Sequence, residues 1–226
     1  MRFPSRSTYA LPATVCVAGL LLLIGWDASG LDLAVAQWFG NSHGFPLRDH
    51  WLFSTVLHTG GRAAGYVLAG WLVVKLLLPD EPHRARIAWL LATAVSGMLL
   101  VSVIKHQSLS SCPWDLQPFG GPATHVSHWL WGVADGGPGR CFPAGHASAA
   151  FAWLAGWFAW RDLNPRRARV WLAGALAAGL VLGLAQQVRG AHFASHTLWT
   201  AWVCWTWAWA CTLLLPQGAR RAAAAG

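Results

Sequence analysis

The chain has 226 residues, of which 55% are hydrophobic and only 11% charged. Soluble domains carry about 25% charged residues, so the composition excludes an ordinary water-dissolved globule and points to a membrane protein. The net charge of +8, from 16 Lys and Arg against 8 Asp and Glu, is spread over separate connections; that argues against a nucleic-acid partner and for membrane topology.

The apolar run at 10–25 follows Arg2 and Arg6 and reads as an uncleaved first membrane helix. A signal peptide is the competing assignment, with Ala28-Ser29-Gly30 as its cleavage site, but Trp26 and Asp27 immediately before that site do not suit one. From 31 to 59 the pattern is mixed and broken by Gly44-Phe45-Pro46, which predicts a short interfacial helix and a loop. A second span is expected at 63–79, where Lys75 near the end can snorkel, and a third at 87–104. A polar, Gly/Pro-rich connection of about forty residues then runs to Gly145, too long to be idle in a compact protein. Further spans are expected at 147–160, 170–188 and 193–215, each roughly matched to a ~30 Å hydrocarbon core. The Trp-rich last span is expected to face lipid and pack. The expected fold is thus all-α, a polytopic membrane helical bundle of about six transmembrane helices, a single domain over 1–226 with an outward-facing active-site loop.

Arg2 and Arg6, Arg84 and Arg86, Arg161, Arg166, Arg167 and Arg169, and Arg220 and Arg221 occupy alternate connections and both termini. The positive-inside rule makes their face the cytoplasm, so the protein is expected in the inner (plasma) membrane with cytoplasmic termini. Three stretches rich in titratable groups then emerge together on the periplasmic or outer face: 105–119 (KHQSLSSCPWDLQPF), 140–148 (RCFPAGHAS) and 188–199 (VRGAHFASHTLW). Such groups are costly at membrane depth, so their convergence marks a functional site.

Cys112 and Cys141 both lie in the outer connection, where an oxidising compartment permits a disulfide; two free thiols are the alternative. Cys16, Cys204 and Cys211 fall inside spans as small apolar residues. Lys105 and Arg189 are cations at span ends, with Arg140 a third candidate. Gly145-His146 and Ala191-His192 stand where spans begin, with free backbone N–H groups. Fixed cations, helix N-termini and several His describe a phosphate site. No cluster of carboxylates accompanies them, which argues against a magnesium-dependent site; no metal and no cofactor are expected. A neutral imidazole can attack phosphorus while a protonated one donates to the leaving alkoxide.

These pieces resemble the three signature motifs of the type 2 phosphatidic acid phosphatase superfamily, which includes bacterial acid phosphatases and vanadium haloperoxidases. The first motif runs Lys, six residues, Arg-Pro; here Lys105 is followed at that spacing by Cys112-Pro113. The second, Pro-Ser-Gly-His, reads Pro143-Ala144-Gly145-His146. The third, Ser-Arg, five residues, His, three residues, Asp, places its His and Asp on His192 and His196 and its Arg on Gln186. The match covers the core at 105–199. The resemblance implies that His192 is the nucleophile, His146 the general acid and later base, and Lys105 a phosphate ligand. Arg189 and Arg140 are candidates to restore the positive charge missing at Cys112 and Gln186. His196 stands where the family's Asp orients the nucleophile; Asp115 supplies a carboxylate if its loop folds over the pair.

The function so implied is metal-independent hydrolysis of a lipid phosphate or diphosphate monoester through a phospho-histidine, with the substrate held in the bilayer. A lipid phosphotransferase of the same superfamily, an anion-binding protein without catalysis, and a metal or haem protein ligated by His192, His196 and His146 are the rivals. His43, His50, His58, His106, His125 and His128 read as polar loop residues, His106 standing out beside Lys105, and Asp135 reads as a turn residue. Neither the particular lipid nor the oligomeric state follows from the sequence.

Overall fold

The computed structural model describes residues 7–214; Arg2, Arg6, Arg220 and Arg221 lie outside them, as does the expected end of the last span. Among the described residues the chain is all helical, apart from isolated bridges at Asn41–Gly44 and Leu116–Ala123. The helices are α1 (Ser7–Ser29), α2 (Leu31–Ala36), α3 (Gly61–Leu77), α4 (Arg84–Gln107), α5 (Gly145–Phe151), α6 (Ala155–Trp160), α7 (Pro165–Val188) and α8 (Ala194–Leu214). A helical segment stands near each of the six expected spans, but their lengths and compositions differ. Three stretches, Ala10–Ser29, Arg84–Gln107 and Pro165–Val188, are long and apolar enough to cross a membrane. At the second position α3 has 17 residues. At the fourth, α5 and α6 are separated by a 3-10 turn over Ala152–Leu154. The last helix, α8, is long enough at 21 residues, but its Thr, His and Trp residues reduce its apolar character.

The apolar faces point outward along much of α1, α3 and α7. Leu21, Leu22, Tyr66, Val67, Val170 and Leu180 are exposed, an arrangement that is costly in water and natural in lipid.

At the centre sits α8, packed against α1, α4, α5 and α7. Three of its Trp residues donate to neighbouring helices. Trp199 Nε1 donates to Asp27 Oδ2 (2.8 Å), Trp202 Nε1 to the Cys16 carbonyl (2.8 Å) and Trp207 Nε1 to Ser96 Oγ (2.9 Å). An indole combines a large apolar body with a donor that needs an acceptor when buried, so one residue type supplies both packing and orientation. The second contact and that of Asp27 with Trp199 run α1 antiparallel to α8.

Helix α7 approaches its neighbours through Gly179 and Gly183, a small-xxx-small pair four residues apart. A Cβ on Gly179 would stand 2.3 Å from Phe151 Cε1, and one on Gly183 would stand 2.1 Å from Thr197 Cγ2. Absent side chains thus let α7 seat on both α5 and α8, which carry the later two of the three chemical stretches.

The bundle has two chemically distinct ends. At one, Arg86 Nη1 donates to the Ala159 carbonyl (2.7 Å), His83 meets the Trp160 ring edge-on and Arg167 lies 3.7 Å over that ring. At the other, the end of α4, the start of α5, the end of α7 and the start of α8 meet. The stretch expected to be loop before α3 is partly helical, a π-helical segment at Leu52–Gly60 leading directly into α3. It packs on α7, where Gly61 admits Leu182, whose Cδ2 lies 2.4 Å from where a Cβ would stand.

Gly183→Ala should lower the thermal unfolding temperature of the detergent-solubilised protein, costing about 1–3 kcal/mol by overpacking. Gly174→Ala on the same helix, where nothing lies within 4 Å, should leave it unchanged or raised.

Candidate functional site

The long connection folds around Asp135. Its carboxylate is buried, 4% exposed, and accepts from the Ser111 backbone N–H, from Ser111 Oγ (2.8 Å) and from the Gly137 N–H (3.0 Å). Ser111 Oγ in turn accepts from the Gly139 N–H (3.0 Å). Asp135 does sit in a turn, but its larger role is to staple residue 111 to residues 135–139. Beyond this staple the chain runs alongside itself: the Arg140 N–H donates to the Ser108 carbonyl (2.7 Å) and the Cys141 N–H to the Ser110 carbonyl (2.9 Å). Cys112 and Cys141 are joined as a disulfide. A third tie, from the Trp114 N–H to the Gly190 carbonyl (3.0 Å), fixes the first stretch to the third. Gly190 takes φ 73, and a Cβ there would meet Phe45 Cδ2 at 2.3 Å, so both conformation and space call for glycine.

Lys105, at the end of α4, lies across Gly145; a Cβ on Gly145 would stand 3.3 Å from Lys105 Cδ. Its ammonium donates to the Arg140 carbonyl (2.6 Å). Arg140, at φ 57, therefore contributes a backbone acceptor, while its side chain is exposed. The Ala144 N–H donates to the His196 carbonyl (3.2 Å), and Thr200 Oγ1 to the Ala144 carbonyl (3.0 Å). His146 follows on the first turn of α5.

Helix α8 begins at Ala194, so Ala191-His192 forms the turn before the helix and not its first residues. His192 is 7% exposed and His196 2%. Their Nδ1 atoms are 3.5 Å apart, and His192 Nδ1 is also 3.5 Å from Cys141 Sγ. Burial holds the His192 imidazole well below its ordinary pKa, with Lys105 and His146 adding repulsion and a backbone hydrogen bond to Cys141 opposing them. The ring is consequently neutral at pH 7, which is the form able to attack. The sulfurs of Cys112 and Cys141 and a ring nitrogen of His192 all lie within 4.8 Å of one another.

One expected residue takes another position. Asp115 lies beside Trp114 and Arg48, and burial raises its pKa; its backbone N–H donates to the Cys112 carbonyl (2.9 Å) and its carbonyl accepts from Ala123. These bonds hold its turn closed around Gly121, where a Cβ would stand 2.1 Å from the Asp115 carbonyl carbon, and no contact joins it to His192 or His196. Arg189 is held by Gln186, the residue at the motif's Arg position: Nη1 donates to Gln186 Oε1 (3.3 Å) and Nε to the Arg48 carbonyl (2.7 Å). His106 is exposed at the helix end.

His58, expected as a polar loop residue, belongs to the site. Its ring stacks on His146 with centroids 3.6 Å apart, and its carbonyl lies 3.2 Å from His146 Nε2. Its pKa is lowered by burial and then by the charges of Arg189 and Arg62. The sequence signal was the spacing of His58 and Arg62, four apart and on one face if the π-helical segment and α3 are continuous. His128, likewise expected as a polar loop residue, stands beside His196. It stacks on Phe142 (4.0 Å), meets His196 edge-on (6.0 Å) and pairs with Asp27, Nε2 to Oδ2 3.2 Å.

The site therefore assembles Lys105, His146 and His192 from the three chemical stretches, adds His58 stacked on His146, and backs His192 with His196 and the disulfide. No curated protein and no solved structure shows significant similarity to the chain. The family profile described as the PAP2 superfamily matches residues 86–219, a span that takes in every motif position from Lys105 to His196. The chain belongs to the PAP2 superfamily, the family of phosphatase-type proteins whose motif order it carries.

Proposed function

We propose that this protein is an integral-membrane lipid phosphatase that hydrolyses a lipid phosphate or diphosphate monoester through a phospho-histidine on His192. The observation that carries this reading is the environment of His192: a buried imidazole, kept neutral, with Nδ1 against His196 and Cys141. That leaves Nε2 as the attacking nitrogen. Nε2 forms a bond to phosphorus as the ester or anhydride oxygen departs, and His146 gives that oxygen a proton. Water then enters with His146 as base, the N–P bond breaks, and phosphate leaves.

Lys105 and the guanidinium groups of Arg189 and Arg62 stabilise charge on the equatorial oxygens in this scheme. Cys112, bonded to Cys141, brings no cation to the position of the motif's Arg. Gln186 instead positions Arg189, so charge is relocated by one helical turn. Ala144 brings no hydroxyl to the phosphate. His196 accepts or donates at Nδ1 and fixes the His192 tautomer, without the full charge that a carboxylate would offer to an imidazolium.

The exposed apolar faces of α1, α3 and α7 support a site reached from the bilayer, with the lipid chains remaining there. The basic connection after α6 and the start of α4 stand at the end opposite the site. By the positive-inside rule that end is cytoplasmic and the site lies at the outer leaflet of the inner membrane. A disulfide suits that oxidising side.

Purified protein with chelator present should release phosphate from one or more members of a panel of lipid phosphates and diphosphates. Persistent absence of release across the panel would count against the reading. His192→Ala and His146→Ala should abolish turnover, whereas His196→Ala should lower it and leave measurable activity, because an orienting group is lost but neither reacting imidazole is. Full activity in the His192 variant would remove it as nucleophile.

A further inference from the structure

The disulfide stands directly behind the imidazole to which phosphoryl transfer is assigned, and it occupies the motif position where a cation is replaced by sulfur. We propose that reduction of Cys112–Cys141 creates a zinc site from Cys112 Sγ, Cys141 Sγ and His192 Nδ1, and that zinc bound there arrests His192. The arrest rests on the phosphatase reading above; the site itself does not.

Geometry favours the three ligands. Tetrahedral zinc with Zn–S near 2.3 Å and Zn–N near 2.0 Å needs ligand atoms about 3.5–3.8 Å apart. Cys141 Sγ and His192 Nδ1 are already 3.5 Å apart, and all three ligand atoms lie within 4.8 Å of one another. Once their bond is cut the two sulfurs have to separate, and Cys112 Sγ has to close on the His192 ring nitrogen by about 1 Å from the 4.8 Å that bounds the trio. Their backbones would not drift apart, because the Arg140 N–H to Ser108 and Cys141 N–H to Ser110 hydrogen bonds, 2.7 and 2.9 Å, pair the strands independently of the disulfide. The Asp135–Ser111 staple reinforces that pairing.

Charge and softness favour zinc. Lys105 would repel a bare dication, but two thiolates make the zinc centre neutral before the imidazole is counted, so burial near an ammonium is tolerable. Thiolate and imidazole donors select zinc over the hard cations magnesium and calcium, which need oxygen. Cys141 is fully buried and His192 nearly so. Cys112 is half-buried, which leaves a route for reductant and metal.

The chemistry balances. A dithiol or phosphine reductant supplies two electrons to the S–S bond, which becomes two thiols while the reductant is oxidised. Zinc then displaces both thiol protons to solvent and takes the Nδ1 lone pair of neutral His192. The remaining ring proton must sit on Nε2, so the nitrogen that would attack phosphorus no longer has a free lone pair.

The test uses the purified full chain in detergent, either oxidised or phosphine-reduced and desalted, titrated with cobalt(II) and then zinc. Reduced protein should bind one metal per chain with a cobalt–thiolate charge-transfer band that zinc bleaches. Oxidised protein, and reduced protein alkylated with iodoacetamide, should show none, and reduced His192→Ala should bind more weakly. Phosphate release by reduced protein should fall in step with zinc occupancy, to the level of His192→Ala, and return with chelator. Absence of the band in reduced protein, or an equal band after alkylation, would overturn the site. Undiminished turnover at full zinc occupancy would overturn the arrest. A zinc-bleached band in a protein that turns over no lipid phosphate in any state would uphold the site and refute the phosphatase reading.

Discussion

Two hydrogen bonds seat the start of α5 on the first turns of α8. The Ala144 N–H donates to the His196 carbonyl and Thr200 Oγ1 donates to the Ala144 carbonyl. Ala144 is fully buried between the two helices, so these groups have no water to fall back on and the junction cannot loosen without leaving them unpaired. Through it, His146 on α5 and His192 just before α8 are held in one frame. Gly183 against Thr197 brings α7 to the same place, and with it Arg189. That end of the bundle is therefore tied together where His146 and His192 stand, while the polar connection around it is stapled on by Asp135, Trp114 and the disulfide.

The same packing explains why substitutions at motif positions do not empty the pocket of charge. Cys112 trades a cation for a covalent tie to the second stretch. Gln186, buried at 2% exposure, trades a cation for a bracket that holds Arg189 one turn on. His58 enters from the π-helical segment, outside the matched family region, so the His146 side of the site carries a second imidazole that the motifs do not specify. Only the orienting carboxylate has no direct replacement: Asp27 approaches His196 through His128, not by touching it.

Helical elements and the motif residues were legible in the sequence because their signals are local: apolar runs between basic connections, and Lys105, Gly145, His146 and His192 at fixed spacings. What escaped was long-range. The stack of His58 on His146 joins residues 88 apart, and no periodicity within either segment encodes it beyond the spacing to Arg62. Asp135 looked like a turn residue because it is one; that it also binds Ser111 depends on where the chain returns. Asp115 was expected near the histidines by proximity to Cys112, but its turn closes on Ala123 and directs it to Arg48 and Trp114. The Trp-rich helix predicts a surface that faces lipid and packs; that Trp199, Trp202 and Trp207 each find an acceptor on α1 or α4 depends on which helices stand beside it.

The central claim is that His192 takes the phosphoryl group. Rapid acid-free quenching of the oxidised protein with a phosphorus-labelled lipid phosphate that it hydrolyses, followed by peptide mapping under alkaline conditions, tests it most directly. Label that is stable to base, labile to acid and confined to the peptide carrying His192 is the predicted result. Turnover with no labelled histidine, or label on His146 or His196 in place of His192, would contradict it.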